Sequence, residues 1–126
     1  MWPDELAAFV RGERNTADFP HREHVRIGFE LLRRHDFVTT VQQYSQALRT
    51  MTARAGKPQA FNQTVTIAFL SLIAERMQQC PQAEFTELLR AFPELLDKQQ
   101  LERWYSHGRL QSAAARAAFL LPDRLP

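Results

Sequence analysis

Apolar residues recur every three or four positions along nearly the whole of this chain, and no stretch alternates convincingly at every second position. That spacing constrains the fold more than any other feature. A period of 3.6 gathers side chains on one face of a helix, whereas a period of two belongs to a strand. Trp2, Leu6, Phe9 and Val10 predict a first helix over 3–11, ended by Gly12. Gly12 to Asp18 is polar and reads as a loop. A second helix opens near Pro20, because proline suits a first turn whose amide has no partner, and runs to about Arg34-His35. Val25, Gly28, Phe29 and Leu32 form its inward stripe, flanked by Ile27 and Leu31. Arg22, Arg26, Glu30 and Arg33 fall mostly outside.

Asp36 suits the N-cap of a third helix, since its carboxylate accepts orphan amides. Phe37, Val41, Tyr44, Leu48 and Met51 carry that helix to about Ala55, and Gly56-Lys57-Pro58 stops it and starts the next. The fourth helix is expected over 58–78. Its wide face of Phe61, Val65, Ala68, Phe69, Leu72, Ile73 and Met77 predicts the most buried helix of the set. Cys80-Pro81 breaks the chain before a fifth helix over 82–91, which Pro93 closes. Asp97 and Gln100 have the form of a capping box opening a sixth helix with Leu101, Trp104 and Tyr105. Gly108 suits a left-handed C′ position. Ser112 caps a last helix through Phe119-Leu120, and 122–126 is a tail. The expectation is all-α: a single helical domain over 1–126, one compact bundle of six to seven helices.

Several function classes drop out on composition. The longest nearly apolar run, Ile67 to Ala74, is far short of the roughly 20 residues that span a bilayer. The start, Met1-Trp2-Pro3-Asp4-Glu5, has neither a basic nor an apolar leader segment. A single cysteine, Cys80, forms no internal disulfide and fits a reducing cytoplasm. The formal charge is +2, and its arginines are dispersed, with Arg33-Arg34 the one adjacent pair. Dispersed arginine describes a solvated face rather than a nucleic-acid footprint. The partners to expect are a small-molecule ligand or a second copy, and neither nucleic acid nor membrane.

The best candidate site lies at the start of the second helix. His21, Val25, Gly28 and Leu32 share one row, and His24 lies a turn from Gly28 on the next. Both imidazoles therefore point near the buried stripe. Two histidines at i, i+3 can converge on an ion, so a divalent metal held by His21 and His24 is one reading. Asp18, Glu23 and Glu30 are candidate oxygen donors to it. The bland reading is two partly buried histidines satisfied by the fold. No H-E-x-x-H or E-x-x-H accompanies the pair, and His35 lies at the far end of the helix. His107 sits in a late loop. The facing fourth helix offers Asn62, Gln63 and Thr66, which are poor metal ligands but good hydrogen-bonding groups. Cys80 reads as a packed thiol, Trp104, Tyr105 and Phe119 as a satellite core, and Arg109 as a surface residue with an anion grip as the alternative.

Three stretches together resemble a small all-helical bacterial family of unassigned function. They are Phe19-Pro20-His21-Arg22-Glu23-His24-Val25, Phe61-Asn62-Gln63-Thr64, and Tyr105 to Ser112 with Ala115-Arg116 and Pro122-Asp123. In similar sequences the second stretch reads aromatic-His-Glu-Thr. The resemblance implies a histidine and a carboxylate facing the first histidine pair, a plausible metal set. This chain has Asn62 and Gln63 there, which removes both ligands. The leading expectation is a polar pocket between the second and fourth helices, lined by His21, His24, Asn62, Gln63 and Thr66, that takes a small polar ligand. Any catalysis there would use a histidine as general acid or base. The rivals are a non-catalytic interaction module or homodimer, and a metal-binding protein.

Overall fold

The computed structural model describes residues 2–124, without the side chains of Trp2 and Asp18. Trp2 in the first stripe, Asp18 as an oxygen donor and the last two tail residues thus lie outside the described part. Among the described residues the fold is all-α, with seven helices and no strand. The chain, expected as one domain, divides into two compact units, Met1–Phe61 and Asn62–Pro126. No helix among the described residues is long and apolar enough to cross a membrane.

In the first unit α1 (Trp2–Val10), α2 (His21–Leu32) and α3 (Phe37–Arg54) pack pairwise on one another. Left-handed glycines end two of them. At Gly12, φ is +72°, and its amide reaches back to the Phe9 carbonyl (2.7 Å). At Gly56, φ is +74°, and Lys57 N–H returns to the Thr52 carbonyl (2.8 Å). The Arg54 guanidinium also holds the Gly12 carbonyl. Asp36 caps α3 as expected, accepting the Thr39 amide at 2.7 Å.

The pattern on α2 needs correcting. Glu30, expected outside, is buried, and Val25 and Ile27 through Leu31 are buried with it. A buried carboxylate is tolerated when opposite charges surround it. Arg34 lies at 2.6 Å from Glu30, Arg26 at 3.5 Å and Arg33 at 3.8 Å. The three arginines, each set one helical turn from the glutamate, form with it a local cluster that charge periodicity alone reads as solvated.

The second unit holds α4 (Gln63–Gln79), α5 (Phe85–Ala91), α6 (His107–Leu110) and α7 (Ala113–Ala117). α4 starts later than the apolar spacing predicts. Pro58–Ala60 is a separate 3-10 turn, and Asn62 is extended, with φ −134°. The densest burial is on α2 rather than α4, whose face is mixed: Thr64 and Thr66 are buried with Leu70, Leu72 and Ile73. Val65, Ala68 and Phe69 of α4 pack on a core of Leu101, Tyr105 and Leu110.

The expected sixth helix is a 3-10 turn, Gln100–Arg103. Asp97 accepts the Gln99 amide (2.9 Å), two residues on, which is a turn and not a capping box. The return half of a box occurs instead on α5, where Glu87 accepts the Glu84 amide at 3.0 Å. Gly108 lies inside α6 and is not a left-handed cap. Ser112 does cap α7, accepting the Ala115 amide at 3.1 Å, but that helix ends at Ala117. Residues 118–124 leave it as an irregular segment that starts extended at Ala118.

Two predictions follow from the helix ends. A Cβ at Gly12 would stand 2.6 Å from Thr50 Cγ2, and the Thr50 hydroxyl is tied to the Gln46 carbonyl, whereas a Cβ at Gly56 meets nothing within 4 Å. Gly56→Ala should therefore cost about 1–2 kcal/mol of backbone strain. Gly12→Ala should cost clearly more, read as a larger drop in denaturant midpoint. The Thr39 amide holds the Asp36 carboxyl below its ordinary value near 3.8. A lowered folded pKa adds stability above the unfolded value and loses it as pH falls through the folded one. The stability gap between wild type and Asp36→Ala should be level near neutrality and close below the ordinary carboxylate range.

Candidate functional site

Pro20 occupies the N-cap of α2, with φ −68° and ψ 167°, and its carbonyl accepts the Glu23 (2.9 Å) and His24 (3.2 Å) amides. His21 is then the first helical residue, and Phe19 precedes the cap. A residue before the cap commonly packs against the fourth residue of the helix. Here that pair is Phe19 and His24, with ring centroids 4.2 Å apart and planes tilted by 48°. The staple fixes the direction in which the chain enters α2 and sets the His24 ring in place.

The rings continue in both directions. Phe9 stacks on Phe19 at 5.5 Å and tilts against Tyr44 at 5.0 Å. His21 lies 6.4 Å from His24, with ring planes 25° apart. Tyr44, Phe9, Phe19, His24 and His21 thus make one aromatic row, buried at the tyrosine end and half-buried at the imidazoles. The Tyr44 hydroxyl donates to the His24 carbonyl at 2.8 Å. Burial pushes the Tyr44 phenol far above its ordinary value, so it stays a neutral donor. Arg14 borders the row, its guanidinium 5.3 Å from the Phe19 centroid and 3.1 Å from the Glu23 carboxylate. Apolar spacing puts Phe9 in the first stripe, and Phe19 opens the stretch that holds His21 and His24. The signal that joins them to His24 is the staple spacing.

The expected partner residues lie in the second unit, where their hydrogen bonds serve α4. Asn62 is its N-cap: Oδ1 accepts the Val65 amide (3.0 Å), and Nδ2 donates to the Leu110 carbonyl (2.7 Å). The Thr66 hydroxyl donates to the Asn62 carbonyl at 2.8 Å. Gln63 is the half-buried first residue of α4. Among the described residues no group of three or more His, Cys, Asp or Glu side chains could hold a metal ion. The metal reading therefore has two imidazoles and no converging third ligand there.

The remaining candidates are also placed. His35 is exposed, and His107 is largely exposed, with Nδ1 3.7 Å from the Glu102 carboxylate. Arg109 donates through Nε to the Leu121 carbonyl (2.8 Å), so its guanidinium is partly committed to the chain itself. Cys80 is a half-buried free thiol at the end of α4. Tyr105 and Trp104 belong to the satellite core as expected, but Phe119 does not. It is 44 % exposed and lies beyond the end of α7. Thr64, Ser106 and Asp123 form contacts with no counterpart in the sequence reading of the site.

Compared with known proteins, the chain matches no family model, no curated protein and no solved structure.

Asn62 should behave as a structural residue. Asn62→Ala removes a helix cap and strands the Leu110 carbonyl, a cost of about 1–3 kcal/mol. Asn62→Ser keeps an acceptor for the Val65 amide and loses the donor to Leu110 without adding a charge, so it should fall between alanine and wild type in chemical denaturation.

Proposed function

We propose that the protein binds a small polar ligand at the opening of α2, through His21 and His24. The carrying observation is the imidazole pair itself: two half-buried rings, 6.4 Å apart, at the polar end of an aromatic row. Neutral imidazole offers one donor and one acceptor, so the pair suits a hydroxyl, amide or carboxylate group. Phe19 fixes one ring and the helix backbone spaces the other, which is the preorganisation that binding requires. If the ligand is turned over chemically, one of the imidazoles is the general acid or base, the side chain whose unperturbed pKa is nearest neutrality.

The reading rests on the histidines alone. Asn62 and Thr66 spend their hydrogen-bonding atoms on the cap of α4. Kinship with the small helical bacterial family is part of this proposal. On that reading the chain has the histidine pair and carries an N-cap asparagine where similar sequences have a histidine. Engagement of Asn62 and Thr66 by the backbone is also what favours the second reading, a non-catalytic interaction module or homodimer. The metal reading is the least supported, for want of a third ligand among the described residues.

A thermal-shift screen against small carboxylates, phosphates, nucleosides and divalent metal salts tests this. The proteins are wild type, His21→Gln and His24→Phe, the last retaining a ring against Phe19. Ligand at about a hundredfold above Kd adds about 2.7 kcal/mol. A compound that raises the wild-type midpoint and fails on both variants is the expected result. Equal shifts on all three proteins reject the site, and a shift confined to the metal salts moves the assignment to metal binding.

A further inference from the structure

Residues 118–124 are bound like a peptide. Beyond α7 this segment forms no helix, yet nearly every residue is gripped by the rest of the second unit. The Thr64 hydroxyl donates to the Ala118 carbonyl (2.6 Å) and accepts the Leu120 amide (3.0 Å). The Tyr105 hydroxyl donates to the Leu120 carbonyl (2.8 Å), and Arg109 Nε donates to the Leu121 carbonyl (2.8 Å). Both oxygens of Asp123 are held by Ser106, one by the amide (2.7 Å) and one by the hydroxyl (2.6 Å). Arg124 closes the run, its amide donating to the Trp104 carbonyl (3.0 Å) and its guanidinium to the Glu102 carbonyl (2.7 Å).

Two features separate this from an ordinary tail. First, recognition is by main-chain hydrogen bonds plus two side chains, Asp123 and Arg124, the way peptides are read by protein grooves. Thr64 and Tyr105 are buried, at 0 % and 3 % exposure, so the donors form a fixed frame. Second, the segment anchors itself weakly by burial. Only Leu120 is half-buried, while Phe119 and Leu121 are 44 % and 70 % exposed. Neutral hydrogen bonds contribute little each, roughly 1 kcal/mol net, so the segment is held specifically but not by a large apolar surface.

We propose that the groove of Thr64, Trp104, Tyr105, Ser106 and Arg109 is a receptor for the segment 118–124, and that these residues of a second copy can occupy it in place of the chain's own. The occupant follows from the contacts. The one sequence seen to satisfy all of them is Ala118-Phe119-Leu120-Leu121-Pro122-Asp123-Arg124, and a second copy presents the same segment. Exchange of an identical element between copies creates no new contact chemistry and is a low-cost route to a dimer. The join is suited to it: Ala118 is extended, with φ −145° and ψ 179°, directly after a five-residue helix. Phe119 and Leu121, exposed in the closed form, are then available for burial between copies.

Complementing full-length variants test the exchange. One chain carries Thr64→Val with Tyr105→Phe, a damaged groove with an intact segment. The other carries Asp123→Ala, an intact groove with a damaged segment. The expected result is that each is monomeric alone, and that their mixture gives a heterodimer by light scattering. In that mixture the Leu120 amide of the first chain should regain roughly tenfold slower hydrogen exchange. Monomer masses in the mixture with no regained protection overturn the proposal. Should the double variant fail to fold by circular dichroism, Tyr105→Phe alone takes its place under the same readouts. A heterodimer without Leu120 protection also overturns it, since the copies would then be meeting elsewhere.

Discussion

Backbone groups at helix ends must find partners, and this requirement governs the second unit. A helix leaves about four amides and four carbonyls unpaired at its two ends. α5, α6 and α7 have seven, four and five residues, so most of their backbone is end rather than middle. Side chains do the pairing. Asn62 serves the start of α4 and the Leu110 carbonyl at once, and Ser112 serves α7. Ser106 uses its hydroxyl twice, accepting the Arg109 amide (3.3 Å) and donating to Asp123. Such bonds are local and directional, and they allow very short helices to hold a fixed arrangement around the Leu101, Tyr105 and Leu110 core.

The first unit meets the same requirement with longer helices and so has rings to spare for packing. Its polar features sit on that packing rather than replacing it. The Tyr44 hydroxyl ends the aromatic row on the His24 carbonyl, tying α3 to the first turns of α2. Thr40 makes a second tie near the other end of α2, donating to the Leu31 carbonyl at 3.3 Å. Between them Glu30 is neutralised by three arginines on its own helix and its C-terminal edge. α2 is thereby held at both ends. The residues at its opening, His21 and His24, are accordingly set on a rigid element rather than on a loop.

Much of this was legible in the sequence, and the failures share a cause. Helical class, Gly12 and Gly56 as stops, and Asp36 and Ser112 as caps all depend on neighbours within five residues, where spacing is informative. Glu30 failed because burial of a charge depends on tertiary packing that a helical wheel does not contain. Asp97-Gln100 failed because a four-residue 3-10 turn satisfies the same apolar spacing as the start of a helix. Of the candidate site, the histidine pair and its helix were readable, and so was the N-terminal position of Asn62 on α4. The aromatic row was not, since Phe9 and Tyr44 reach Phe19 across the fold. Nor was the hold on residues 118–124, whose partners are up to 56 positions away.

That last hold bears on the stretches singled out in the sequence. Thr64 lies in one of them, and Tyr105, Ser106 and Asp123 in another, and these residues bond to one another's segments. A sequence pattern built from mutually bonded residues is accounted for by the geometry of the segment it secures. Asparagine at 62 fits the same account, because an N-cap favours a short side-chain acceptor and a histidine there would serve it less well. The stretch with Phe19, His21 and His24 is different. Its phenylalanine is explained by the staple, and His24 fills the other half of that staple although an aliphatic residue would pack there without carrying a polar ring. The imidazole at that position stands beside a second imidazole one turn away, with ring centroids 6.4 Å apart, so the opening of α2 carries two polar rings where the staple needs only one apolar side chain.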